Sequence, residues 1–136
     1  MKVMLKNVRL SFPSLFKTEQ YAGEDTEKYA ATFLIPKSDT KTVNAIEQAC
    51  KQALVEKYGE GKVPKGFKMP LVDGDDKEYQ GYADHVCIKA NTKKRPTLVN
   101  RDKTPIVEED GILYGGCYVN ASIDVWVMDN SYGKKV

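Results

Sequence analysis

This chain of 136 residues has little that could hold a metal or carry out covalent catalysis. It has a single histidine, His85, and three cysteines, Cys50, Cys87 and Cys117, too far apart for a CxxC pair. A structural zinc site needs a close tetrahedral set of such ligands, so none is expected. Three isolated cysteines in apolar contexts suggest small core residues in a reducing compartment rather than a disulfide framework. No segment approaches the roughly 18 apolar residues of a membrane span. The opening MKVMLKNVRL alternates cations with apolar residues, as no signal peptide does. A cytoplasmic protein with no membrane partner is expected. P-loop, GxGxxG, HExxH and GxSxG patterns are all missing, and no nucleophile is positioned beside His85. A structural histidine, no cofactor and no enzymatic activity follow as expectations. Net charge is only +2, so any affinity for a polyanion must come from where the charges sit.

The length predicts one domain able to bury a core without staples. Hydrophobic and charged fractions of 41% and 29% are ordinary for a globular chain. Residues 2–12 alternate with period two, which predicts a strand with Met4, Val8, Leu10 and Phe12 on one face and Asn7, Arg9 and Ser11 on the other. Residues 16–26 read as a polar loop. YAATFLI at 29–35 is apolar on both faces, as in a central strand. A helix is expected over about 39–58. Ser38 or Asp39 caps it, Val43, Ile46, Cys50, Ala53 and Leu54 share its buried face, and Gly59 ends it. Residues 59–81 are rich in Gly, Pro, Lys and Asp, and are too long for a simple connection. Strands resume at Val86, with Val86, Ile88 and Ala90 facing inward and Cys87, Lys89 and Asn91 outward. Residues 112–128 form the clearest β segment, where Gly115-Gly116 suggests a bulge or corner. No internal repeat or linker is visible. The whole predicts a mainly β protein, an OB-fold-like five- to six-stranded barrel with one α-helix.

Chemistry concentrates in the second half. Cys117, Val119, Ala121, Ile123, Val125 and Val127 form a core face of the last strand. The opposite face carries Tyr118, Asn120, Ser122, Asp124 and Trp126. Large rings among polar groups either stack on bases, are covered by another element, or bury a subunit contact. Lys89, Lys93, Lys94, Arg95, Arg101 and Lys103 cluster within fifteen positions opposed only by Asp102. With Arg9 they could track a phosphate backbone, or form a merely solvated hairpin. Tyr79 and Tyr82 are further ring candidates, joined by Phe33 or Tyr29 if that face lines the groove, and Asn91, Asn100 and Asn120 could hydrogen-bond sugars or base edges. Asp73, Asp75, Asp76 and Glu78 do not make a calcium loop. An EF-hand starting at Asp73 would need Gly at Glu78 and Glu at Asp84. A solvated acidic loop is expected instead.

Four segments carry a resemblance to a known family: LKNVRLSFPSLF, YAATFLIPK, DGDDKEYQGYADHVCIKANTKKRPTLVNRD and GGCYVNASIDVWVMDN. In this order they resemble a family of tailed-phage and prophage OB-fold single-stranded DNA-binding proteins. The third block, with its Tyr-x-x-Gly-Tyr run, is the most specific. The resemblance implies a protein that coats exposed single strands during phage replication, recombination or repair, with phage replication or recombination proteins as further partners. Family members continue past the position of Lys135 with another strand and an acidic tail, which would compete with DNA for a basic groove; this chain's last residue is Val136. A monomer or a homodimer would fit. The rival expectation is a protein-interaction or assembly module, with the aromatic sheet face as its subunit interface.

Overall fold

A computed structural model describes residues 2–21, 23–61, 70–76, 82–100, 103–111, 113–125, 127–130 and 133–135. The strands are β1 (Lys2–Ser14), β2 (Gln20–Tyr21), β3 (Glu24–Asp25) and β4 (Tyr29–Pro36), then β5 (Leu71–Asp73), β6 (His85–Thr92), β7 (Tyr118–Asp124), β8 (Met128–Asn130) and β9 (Gly133–Lys135). The helix α1 (Thr40–Tyr58) lies between β4 and β5. Five strands form one antiparallel sheet in the order β5-β6-β4-β1-β7, and β2-β3 and β8-β9 are separate two-stranded ladders. The fold is thus mainly β with one helix. β4 sits at the centre of the sheet, where a strand apolar on both faces belongs.

The core lies between α1 and one face of the sheet. Ile46, Ala49, Cys50 and Ala53 of the helix join Val3, Leu5, Val8 and Leu10 of β1, Ala31, Phe33 and Ile35 of β4, and Ile88 of β6. Asp39 caps the helix by accepting from the Thr42 N–H at 3.3 Å, and Gly59 closes it at φ 98°. Burial raises the Cys50 thiol pKa above its ordinary value, so it behaves as an apolar filler.

Strict alternation fails twice in β1. The register against β7 shifts between Leu5 and Val8, where Asn7 has φ 51°. The register against β4 shifts between Ser11 and Ser14, where Phe12 has φ 46°. Each bulge exchanges the faces of the strand. Val3 and Leu5 therefore fill the core, while Met4 and Phe12, expected inside, are 57% and 56% exposed. Two further differences concern loops. The 16–26 segment contains the β2-β3 ladder, with Tyr21 paired to Glu24. The last long strand begins only at Tyr118, because a turn at Gly115-Gly116 precedes it, with Gly116 at φ 104° and the Cys117 N–H bonded to the Tyr114 carbonyl at 3.2 Å.

Candidate nucleic-acid interface

The sheet face turned away from α1 carries most of the described candidate residues. Antiparallel pairing sets Tyr118 of β7 opposite Arg9 of β1, Arg9 opposite Leu34 of β4, and Leu34 opposite Cys87 of β6. The next row on this face runs Ser11–Thr32–Lys89, and Asn91 follows Lys89 along β6. Arg9 and Tyr118 are thus direct cross-strand neighbours, the closest relation two side chains on adjacent strands can have. Tyr118 is 62% exposed. The Arg9 guanidinium lies against Gly116, where an added Cβ would come within 3.3 Å of Nη2. A glycine at this turn both permits the positive φ and leaves room for the guanidinium. Lys89 lies two strands from Arg9 and roughly 12 Å away by strand spacing and rise.

Other cations extend this surface. Lys93, Lys94 and Arg95 occupy the exposed turn after β6, where the Thr92 hydroxyl accepts from the Lys94 N–H at 3.2 Å. An arm follows in which Ile106 N–H bonds Leu98 O at 2.9 Å and Asn100 N–H bonds Thr104 O at 2.8 Å. The Asn100 amide donates to the Thr104 hydroxyl at 3.1 Å, so it stiffens the arm, and exposed Lys103 sits at its tip. Lys89 is already engaged: its ammonium lies 3.0 Å from Glu19 Oε2.

Three candidates have structural duties. Tyr82 is 3% exposed, packs with Leu34 and Cys87, and its hydroxyl lies 2.7 Å from Ser11 Oγ. Its ring lines the outer sheet face but is covered, so it offers no stacking surface. Asn120 accepts the Asn7 N–H at 2.8 Å, satisfying a donor that the first bulge frees from the ladder. Phe33, a secondary ring candidate, belongs to the core. Tyr79, Arg101 and Trp126 lie outside the described residues.

The acidic run is organised by a residue that periodicity does not reveal. Lys37, just past β4, places its ammonium 2.8 Å from Asp73 Oδ1 and 2.6 Å from Asp75 Oδ2. Hydrogen bonds from Lys37 hold both carboxyls below the ordinary aspartate range, and the same bonds raise the lysine. Asp75 also accepts the Asp84 N–H at 2.9 Å. Among the described residues no cluster of three or more His, Cys, Asp or Glu could hold a metal ion. The His85 Nδ1 lies 2.7 Å from the Ala83 carbonyl oxygen, a local structural contact.

The fold that positions these residues is shared with proteins of known structure. The model of the Enterobacter phage Enc34 single-stranded DNA-binding protein family matches residues 1–136. The chain belongs to that family. It is 41% identical over 144 aligned positions to protein p50 of Acyrthosiphon pisum secondary endosymbiont phage 1, covering 100% of this chain and 78% of p50. Its fold is similar to that of the single-stranded DNA-binding protein of bacteriophage Enc34 solved in complex with ssDNA. The TM-score is 0.78 at 26% identity, over 98% of this chain and 79% of the other. It also resembles gp2.5, a single-stranded DNA-binding protein encoded by bacteriophage T7, with TM-score 0.62 over 98% and 84% of the two chains; at 15% identity that likeness is one of fold. The OB-like architecture is therefore that of phage single-stranded DNA-binding proteins.

For this member of the Enc34 family, alternation alone misses the pairing of Glu19 with Lys89 and the exposure of Phe12. The only sequence signal for Phe12 is the apolar character of both parities around Val3, Met4 and Leu5, which leaves the register of β1 open, and Pro13, which interrupts the strand pattern. Glu19 has no local signal, since its partner is seventy positions away.

Proposed function

We propose that this protein binds single-stranded DNA without strong sequence preference and coats it during phage DNA replication, recombination or repair in the host cytoplasm, with no catalytic step. The observation that carries this is the Arg9–Tyr118 cross-strand pair on the sheet face turned away from α1. A guanidinium there meets a phosphate while the adjacent exposed ring stacks on a base, and both contacts tolerate any sequence. Lys89, Lys93, Lys94 and Arg95 continue the phosphate track along β6 and its turn, and Asn91 offers hydrogen bonds to sugar or base edges. Arg101, Tyr79 and Trp126 remain assigned to the same interface by the sequence pattern alone. Family membership and the likeness to a structure solved with ssDNA support the same ligand.

Titration of a fluorescein-labelled poly-dT oligonucleotide at low and high salt tests the proposal. Tight binding that weakens steeply with salt, through counterion release, is the expected result. Absence of binding at low salt would reject it. One observation favours a second reading: β7 is an edge strand, and Met4 beside it is exposed along with Tyr118. An apolar subunit contact there would persist at high salt, which sedimentation would detect.

A further inference from the structure

Phe12 combines two features unusual for its residue type. It is the largest apolar side chain of β1, yet it stands 56% exposed, and its φ of 46° is one that residues with a Cβ avoid. The residue before a proline is restricted further, and Pro13 follows directly. Single exposed apolar residues are common on protein surfaces and mean little. Phe12 is not single. Leu10 donates to the Cys117 carbonyl and accepts from Gly116 N–H, both at 2.7 Å, which clamps this end of β1 to the turn that carries Tyr114. Tyr114 is 59% exposed. Pro13 Cδ would lie 3.9 Å from a Cβ on Gly115. Phe12 and Tyr114 thus stand at the end of the β1-β7 pair where Arg9 faces Tyr118. Phe12 is three residues from Arg9, roughly 10 Å along the strand.

We propose that Phe12 is a base-stacking residue, turned out of the sheet by the second bulge of β1 to extend the Arg9–Tyr118 surface by one stacking position. This rests on the single-stranded DNA reading above. Strained backbone held in place by surrounding pairing tends to occur where a side chain must be presented. The bulge supplies that presentation: without it, alternation would send Phe12 into the core beside Leu10.

The test separates presentation from packing. Asn tolerates a left-handed conformation, so Phe12→Asn should fold with an unchanged or higher melting temperature. Its affinity for the labelled poly-dT should fall roughly five- to a hundredfold, the effect of losing one stacked base, with no change in salt slope. Phe12→Tyr should restore affinity, and Phe12→Leu, which keeps apolar bulk but no ring, should not. Wild-type affinity in both Phe12→Asn and Phe12→Leu, alongside weakened Arg9→Ala, would overturn this inference and leave the DNA-binding function standing. A marked drop in melting temperature for Phe12→Asn, with binding retained by Phe12→Leu, would make Phe12 a packing residue. Failure of the unaltered protein to bind would remove both.

Discussion

The ammonium of Lys89 lies 3.1 Å and 3.0 Å from the two carboxylate oxygens of Glu19, seventy positions earlier in the chain. A candidate phosphate contact is thus already occupied by an internal anion. DNA reaching Lys89 must displace Glu19 or accept its repulsion. Exposed ion pairs of this kind are worth about 0.2–1 kcal/mol.

Glu19→Gln should therefore tighten binding of single-stranded DNA, by up to roughly fivefold at low salt. It should also steepen the salt dependence, because Lys89 becomes fully available to release a counterion. Anisotropy titrations of both proteins across a salt series check this. Equal affinities and slopes would show that Lys89 does not meet a phosphate.

Charge and ring contacts should separate in one experiment. Lys94→Ala, in the exposed turn after β6, is expected to lower the salt slope by about 0.7–1. Tyr118→Ala should cost about 1–3 kcal/mol of affinity and leave the slope unchanged. A slope change in Tyr118→Ala would mean that its loss disturbs Arg9 across the strand pair.

Gly74 has no room for a side chain. A Cβ there would overlap the carbonyl oxygens of Tyr82 and His85. Gly74→Ala should force the turn after β5 away from β6 and destabilise the fold by about 1–3 kcal/mol, the usual range for overpacking. Urea denaturation would measure it. Because Tyr82 is anchored by Ser11 on the outer sheet face, a parallel loss of DNA affinity is expected.

Stability should also fall in acid through Asp73 and Asp75. Lys37 lowers both folded-state pKa values below the ordinary 3.8. Their contribution is fully present above the unfolded value and is lost as pH falls through the folded one, because the unfolded chain then binds more protons. Lys37→Met should return both carboxyls toward 3.8 and flatten the acid limb of melting temperature against pH. Carboxyl NMR titration gives the first result and thermal melts the second.

Much of this molecule was determined by local patterning. A period of 3.6 with Asp39 and Gly59 at its ends specifies α1, and apolar character on both faces of residues 29–35 places β4 at the sheet centre. Inward Ile88 against outward Lys89 follows from period two, as does the core face of β7. These features depend on side chains close in sequence, whose repeat is the repeat of the backbone itself. Tertiary structure alone decided the rest. Two bulges in β1 exchanged the faces of Met4 and Phe12, because pairing on both sides of that strand, with β4 and with β7, outweighed the local alternation. Burial turned Tyr82 from a candidate ring into a covered one, and long-range partners engaged Lys89 and Asn120. Each outcome hangs on contacts between distant segments, and no spacing along the chain encodes them.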